Sequence, residues 1–277
     1  MKISILGSAA YERVPALFCH CPVCEQAKLL GGRNLRTQAQ TVIDGELLVD
    51  FNQDNYQHFL FGKFDFSKVN NVIITHAHSD HFIPKDFCMT APPYGHNDID
   101  IISIFGSNEC GEFFKDNCKE KTKCKYYAVV PYQSFKVGKY TVTALPADHG
   151  TEEPMCYVIF DGKKTLLYNN DTGLFAEEVY RFLAQKAFKI DAVIADCTMG
   201  FYPNASGRGH MSFENNLTHK KRLTDIGIID QSTKYIINHF SHNGLIKDGV
   251  PLTAEDLEKL ARDNGFISAY DGFTIEI

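Results

Sequence analysis

The chain has 277 residues, of which 44% are hydrophobic and 22% charged, and this composition is typical of a folded globular protein with a substantial core. The formal net charge of −6 disfavours a broad nucleic-acid-binding face, without ruling out nucleic acid as a partner. No apolar run approaches the roughly 20 residues that span a membrane, and residues 1–7 read as a β-strand rather than a secretory signal. We therefore expect a cytoplasmic protein without a membrane partner, folded as a single domain over residues 1–277, which could form a homodimer.

The first unusual feature is a cluster of three cysteines, Cys19, Cys21 and Cys24, in a CxCxxC pattern. Without an export signal the thiols are expected to be reduced, so the cluster favours a metal site over disulfides. Three thiolates suit a tetrahedral structural zinc, but a fourth ligand is needed. His20 lies between two of the cysteines and would have to fold back sharply, so we favour a ligand distant in sequence.

Residues 40–43 and 46–50 predict two strands around an Asp44-Gly45 turn. Asp50 ends the second strand, where it either orients a metal ligand or is simply a strand-end carboxylate. Residues 55–62 predict a helix.

The central motif follows an apolar, β-branched strand predicted over 72–75 and contains His76, His78, Asp80 and His81. At the end of an extended segment, His76 and His78 point to the same side and can bind one ion. Ser79 and Asp80 are good helix-capping residues, so we expect the chain to turn there and to point Asp80 and His81 elsewhere. The motif therefore offers ligands for two neighbouring divalent ions.

Further along the chain, predicted strands repeatedly lead into a histidine or a carboxylate. These residues are His149, Asp171, Asp196 and His239, with His242 three positions after the last. Ligands gathered from several strand ends at one sheet edge predict a layered α/β scaffold with a dinuclear site. The proline-containing loop 84–96 is either a wall of the substrate pocket or a plain loop. Thr253 and Asp256 predict a capped helix that ends near Gly265, followed by a strand over 273–277.

The HxHxDH motif on a strand-to-helix turn, together with the later strand-end residues, resembles the metallo-β-lactamase-fold hydrolases over nearly the whole chain. The resemblance implies an αββα four-layer sandwich of the layered α/β (α+β) class, with two metals at one edge. Zinc or manganese would suit the two positions, and iron is a further candidate. The implied ligands are His76, His78 and His149 for the first metal, Asp80, His81 and His239 for the second, and Asp171 as the bridge.

The cysteine cluster combined with HxxH at 239–242 resembles the PhnP-like cyclic-phosphate phosphodiesterases, and PqqB-like relatives share such a cysteine-rich site. In that family the three cysteines and the second histidine of HxxH bind a structural zinc, which implies His242 as the fourth ligand. Residues 209–212 match the loop that carries the family's catalytic histidine, so His210 is the candidate general acid and Asp80 a second catalytic candidate. Arg208 could hold a substrate phosphate, although no motif supports it.

Two divalent ions, two ligand carboxylates and one hydroxide give the centre a formal charge of about +1. This charge favours a small anionic substrate, such as a cyclic phosphate or a nucleotide-like phosphodiester, attacked by a metal-bridged hydroxide. His210 would then protonate the leaving alkoxide.

Other activities stay open on the same ligands. A tRNA 3′-processing-type endonuclease is disfavoured by the acidic chain and by the lack of an evident basic arm. A thioester or lactone hydrolase would use the same metals on a neutral carbonyl. A metal-stabilised binding module is the weakest alternative, because structural zinc sites are closed whereas this ligand set leaves room for solvent. The sequence assigns no role to His58, His96 and His219.

Overall fold

The computed structural model describes residues 1–62 and 64–277. In chain order the strands are β1 (Lys2–Gly7), β2 (Gln40–Ile43), β3 (Leu47–Val49), β4 (Asn71–Ile73), β5 (Ile102–Gly106), β6 (Cys124–Ala128), β7 (Ser134–Val137), β8 (Tyr140–Pro146), β9 (Met155–Phe160), β10 (Thr165–Asn169), β11 (Ala192–Asp196), β12 (Lys234–Asn238), β13 (Ile246–Lys247), β14 (Val250–Pro251), β15 (Ile267–Ser268) and β16 (Thr274–Glu276). The α-helices are α1 (Pro22–Leu30), α2 (Asn55–Leu60), α3 (Asn108–Asn117), α4 (Glu177–Lys186), α5 (Phe213–Asp225) and α6 (Ala254–Asp263).

Two seven-stranded sheets form the centre of the protein. The first has the order β16-β1-β2-β3-β4-β5-β6 and the second has the order β15-β12-β11-β10-β9-β8-β7. Each sheet mixes parallel and antiparallel pairs, such as parallel β10–β11 and antiparallel β9–β10. The short strands β13 and β14 pair only with each other.

The sheets pack face to face, and helices cover their outer faces. Side chains alternate between the two faces of a strand, so Ile5 of the first sheet and Tyr168 of the second meet in one buried core between the sheets. The outer face of the second sheet packs against α4 and α5 through Leu183 and Leu223. The outer face of the first sheet packs against α3 through Cys110. This arrangement is the αββα sandwich that the sequence predicted.

The residues predicted to bind metal lie at one edge of the sandwich, called the functional edge below, because of the direction of the strands. Strands β10, β11 and β12 are parallel, and so are β3 and β4 in the other sheet, so their carboxyl ends lie at one edge of each sheet. The two edges meet where the Met155 N–H donates to the Thr75 carbonyl at 2.9 Å. The residues that follow these strand ends are Asp50, His76, Asp171, Cys197 and His239.

The structure also corrects details of the predicted elements. The predicted strand-to-helix turn after the HxHxDH motif does not start a helix, because residues 77–81 form turns and the next helical segment is the 3₁₀ stretch Pro84–Thr90. Asp80 does not cap a helix there, since its carboxylate lies 3.3 Å from the His81 ring. The predicted C-terminal helix is present, with Thr253 and Asp256 forming a reciprocal capping box.

None of the helices in the described part of the chain is long and apolar enough to cross a membrane.

Candidate metal centre

Three histidine nitrogens converge at the functional edge. His76 Nε2 and His149 Nε2 lie 3.0 and 3.1 Å from His78 Nδ1. Ligand nitrogens on a tetrahedral zinc, at about 2.0–2.1 Å from the metal, are about 3.3–3.4 Å apart, so this spacing is close to that of a ligand set. A neutral imidazole has one donor and one acceptor, and the three nitrogens cannot all hydrogen-bond to one another. They fit one divalent ion.

A second group lies beside the first and contains Asp80, His81 and His239. Asp171 Oδ2 lies 2.5 Å from His81 Nε2 and 3.0 Å from His239 Nε2. These three atoms are buried and make no hydrogen bond of acceptable angle within the described residues, despite their short separations. Because orphaned buried polar atoms are costly, a cation between them would satisfy all three. Asp171 also groups with His76 and His81, so its carboxylate lies where a bridging ligand is expected.

The two ligand groups together contain five histidines. In four of them, the ring nitrogen that faces away from the ligand atoms is held by a hydrogen-bond partner. Such partners fix the tautomer and the ring orientation of a metal ligand. The pairs are His76 Nδ1 with Thr75 Oγ1 at 2.9 Å, His81 Nδ1 with Asp50 Oδ2 at 2.8 Å, His149 Nδ1 with the Gly209 carbonyl at 3.1 Å, and His239 Nδ1 with Thr198 Oγ1 at 2.7 Å.

Asp50 anchors the HxHxDH segment. Its buried carboxylate accepts hydrogen bonds from the Thr75 N–H at 2.8 Å and from His81 Nδ1 at 2.8 Å. The sequence left two interpretations of Asp50 open, and the contact with His81 favours the one in which it orients a metal ligand.

The electrostatics suit cation binding. Burial holds the pKa of His76 well below its usual value, which keeps the ring neutral and able to bind a metal. Burial acts to raise the pKa of Asp171, but the neighbouring His239 and His81 outweigh it and hold that pKa well below its usual range. Asp171 is therefore an anion in the middle of the histidines.

Three site residues have a left-handed backbone at a strand end. The φ angles are +67° for Asp50, +48° for Asp171 and +63° for His239. Such conformations cost on the order of 1–3 kcal/mol each for residues with a Cβ, and they concentrate at functional sites. Here they turn the side chains of Asp171 and His239 sharply off the strands into the ligand cluster.

His210 stands at the wall of the centre and is held by Asp196. His210 Nδ1 lies 2.9 Å from Asp196 Oδ2 and 3.4 Å from Asp171 Oδ1. Burial acts to lower the pKa of His210, but the Asp196 carboxylate outweighs it and raises that pKa to about 9. The Asp196 carboxylate therefore favours the protonated form of the ring.

The sequence identifies Asp196 only as a strand-end carboxylate, without a role. The structure shows it fully buried, with Oδ1 accepting from the Met211 N–H at 2.8 Å and Oδ2 accepting from Thr198 Oγ1 at 2.9 Å. Thr198, which also holds His239, was missed as well. The only available signal was the repeated pattern of an apolar strand ending in a carboxylate.

Arg208 is placed differently from its neighbour His210. Its guanidinium Nε lies 2.7 Å from Asp148 Oδ2, and the side chain is 80% exposed. It does not line the cleft described below. The predicted contact with a substrate phosphate therefore has no support in the structure, which instead uses Arg208 to tie the segment before His149 to the loop of His210.

A cleft of about 720 Å³ opens over the two ligand groups. Ligand residues of both groups and His210 line it, and so do Tyr11, Glu12 and Asn243. Among the described residues that line this cleft, none belongs to loop 84–96, which the sequence had offered as a pocket wall.

The three clustered cysteines converge on His242. Its Nδ1 lies 3.7 Å from Cys19 Sγ, 3.3 Å from Cys21 Sγ and 3.5 Å from Cys24 Sγ. Sulfur and nitrogen ligands of a tetrahedral zinc are about 3.6 Å apart, given bonds of about 2.3 and 2.05 Å. Burial raises the pKa of Cys24 to about 12, so its thiolate needs a cation nearby at neutral pH.

His20, the local alternative for the fourth ligand, is 86% exposed and pairs with Glu25. Two of the three unassigned histidines, His58 and His219, are buried, and burial lowers their pKa values to about 4 and about 3. Both hydrogen-bond to neighbouring side chains and are structural. His96 is exposed.

Residues 48–226 match the sequence model of the beta-lactamase superfamily domain. This match covers more than half of the chain, which therefore belongs to the beta-lactamase superfamily.

Individual relatives agree with this assignment. The probable metallo-hydrolase YhfI of Bacillus subtilis (strain 168) is 25% identical over 191 residues, covering 67% of this chain and 72% of that protein. Zn(2+)-bound PqqB from Methylobacterium extorquens superposes with a TM-score of 0.76 at 20% identity over 100% of both chains. A diphosphatase of the PhnP family superposes with a TM-score of 0.74 at 18% identity, covering 100% of this chain and 98% of that one.

At these identities the two structures establish the fold. The predicted metallo-β-lactamase fold is confirmed, and the family together with the histidine and aspartate groups supports a metal-dependent hydrolase that binds divalent metal.

Proposed function

We propose that the protein is a dinuclear metal-dependent phosphodiesterase that hydrolyses a small cyclic or nucleotide-like phosphodiester. The observation that carries the proposal is the hydrogen bond between His210, which lines the cleft, and the buried Asp196 behind it, directly beside the two ligand groups. It adds a proton donor to a site built for cations.

Two divalent ions in the ligand groups would supply Lewis acidity and lower the pKa of water toward about 7. A histidine binds a metal in its neutral form, so a centre with two divalent ions would keep a positive formal charge after Asp80 and Asp171 are counted. The chain thus offers a binding position for an anionic phosphate, whereas a neutral thioester or lactone carbonyl gains less from that charge.

His210 is suited to protonate a leaving alkoxide. Its Nδ1 is engaged by Asp196, which leaves Nε2 as the atom that can donate a proton into the cleft. Burial acts to lower the pKa of His210, but Asp196 outweighs it, raises that pKa to about 9 and so favours the acid form. A poor leaving group such as a sugar alkoxide requires this proton more than a nitrophenolate does.

A substrate that contains phosphate agrees with the similarity in fold to a diphosphatase of the PhnP family. A tRNA-processing endonuclease has weaker support, since the net charge is −6 and a polyanion needs a basic surface.

The test measures turnover of bis(p-nitrophenyl) phosphate, adenosine 2′,3′-cyclic phosphate and a thioester by metal-loaded protein. His210→Ala is compared with His96→Ala, which removes an exposed histidine outside the cleft. We expect the wild-type protein to hydrolyse the diesters. In His210→Ala, hydrolysis of the cyclic phosphate should fall on the order of 10²–10⁴-fold with metal content unchanged, whereas His96→Ala should keep the wild-type rate. Thioester turnover without diester cleavage would overturn the proposal in favour of a carbonyl hydrolase.

A further inference from the structure

The cleft extends beyond the metal ligands to an exposed tyrosine on an anchored loop. Tyr11 lines the cleft and is 57% exposed. Its carbonyl accepts hydrogen bonds from Gln38 Nε2 at 3.0 Å and from Arg13 Nη1 at 3.3 Å. Arg13 in turn makes a two-pronged pair with the buried Asp54, with Nε–Oδ2 and Nη2–Oδ1 distances of 2.9 Å.

These contacts fix the backbone of Tyr11 while its ring stays open to solvent in the cleft. A ring held this way loses little further freedom when a ligand packs on it, so it is a favourable platform for a planar group. Stacking of a nucleobase on an aromatic side chain is sequence-tolerant and adds binding free energy without hydrogen bonds to the base.

Glu12, the next residue, gives the same part of the cleft a negative charge. Its Oε1 accepts a hydrogen bond from Ser241 Oγ, and Oε2 has no hydrogen-bond partner among the described residues. A carboxylate here accepts hydrogen bonds from hydroxyl or amino groups, and it repels a second phosphate. With divalent ions bound, the cleft would therefore be positive at the metal ligands. It is negative beside Tyr11.

We propose that Tyr11 and Glu12 form a subsite for the part of the substrate beyond its phosphodiester, and that this part is a nucleobase-bearing group without a second phosphate. This inference rests on the proposed phosphodiesterase activity and names its substrate class, a nucleoside cyclic phosphate. Tyr11 packs on the base, and Glu12 excludes a doubly phosphorylated nucleotide.

The experiment compares two cyclic esters, one that carries a nucleoside and one that has neither ribose nor base. We define the base preference as kcat/KM for adenosine 2′,3′-cyclic phosphate divided by kcat/KM for glycerol 1,2-cyclic phosphate. Tyr11→Leu lowers this ratio on the order of tenfold, mainly through KM, because stacking stabilises the bound ground state and the transition state alike. Tyr11→Phe retains the ratio, since the ring is kept. Tyr94→Leu, which removes an exposed tyrosine outside the cleft, also retains it.

Glu12 is tested with adenosine 2′,3′-cyclic phosphate that carries a second phosphate on O5′. Wild-type protein hydrolyses this ester more slowly than the parent compound, and Glu12→Gln reduces the difference severalfold with zinc content unchanged.

The outcomes separate the two proposals. Hydrolysis of neither ester by wild type overturns the phosphodiesterase activity and the subsite with it. Hydrolysis of both esters with a base preference near 1, or a preference unchanged in Tyr11→Leu, overturns the subsite alone. Faster hydrolysis of the doubly phosphorylated ester overturns the role of Glu12.

Discussion

Replacing Asp196 with asparagine separates its electrostatic role from its structural one. Asp196 accepts backbone hydrogen bonds at Oδ1 from Met211 at 2.8 Å and from Thr198 at 3.0 Å. An asparagine carbonyl can keep both bonds. Its amide group then occupies the Oδ2 position, which faces His210 Nδ1 at 2.9 Å and Thr198 Oγ1 at 2.9 Å.

The amide presents an N–H where the carboxylate accepted one, so His210 must become neutral and use Nδ1 as an acceptor. The variant also loses the negative charge that raised the pKa of His210 against the effect of burial. Loss of a positioned general acid costs about 10²–10⁴-fold in rate, which is about 2.7–5.5 kcal/mol.

The assay measures how fast wild-type protein and Asp196→Asn hydrolyse two esters that differ in their leaving group. Hydrolysis of adenosine 2′,3′-cyclic phosphate, which expels an alkoxide, should fall by that factor, whereas bis(p-nitrophenyl) phosphate should lose much less because its leaving group needs no proton. Metal analysis guards against disturbance of His239, whose Nδ1 lies 3.7 Å from Asp196 Oδ2. Equal losses for both esters at full metal content, or no loss for either, would refute the assignment of His210 as the acid.

Three further predictions concern the surroundings of the centre. Asp50→Asn removes the anionic acceptor at 2.8 Å from His81 Nδ1 and should weaken active-site metal binding about 10–100-fold in a chelator competition; unchanged affinity would contradict its orienting role. His242→Ala should release one zinc and lower the melting temperature, whereas Cys118→Ser, outside the cluster, should do neither. Burial lowers the pKa of His219 to about 3 from an unfolded value of about 6.5, so its contribution to stability is present above pH 6.5 and lost as pH falls. Urea unfolding should show about 2 kcal/mol less stability at pH 5 than at pH 8 from this residue, and His219→Gln should remove that part of the slope.

The sequence predicted the site best where the candidate metal ligands stand in a short motif or directly after a strand. The HxHxDH motif and the strand-end residues His149, Asp171 and His239 are the side chains whose ligand atoms the structure brings together. Apolar β-branched strands and strand-end ligands also predicted the layered fold, because parallel strands must present their carboxyl ends at one edge.

Contacts between distant segments were not predictable in the same way. Asp196 touches His210 only because the loop after β11 returns across the strand end, and nothing in the local sequence encodes that distance. Tyr11 and Glu12 belong to the cleft because Ser241 and the Arg13–Asp54 pair hold their loop there. The helix expected after HxHxDH failed for a related reason: the capping carboxylate of Asp80 lies among the ligand atoms instead.

The most direct test of the dinuclear centre is a metal titration of the metal-depleted protein, in which bound metal and diesterase activity are measured on the same samples. The account predicts three metal sites per chain, of which the thiolate site fills without activity and the other two restore hydrolysis together. Full activity in the metal-free protein, or with a single ion beyond the thiolate site, would contradict it.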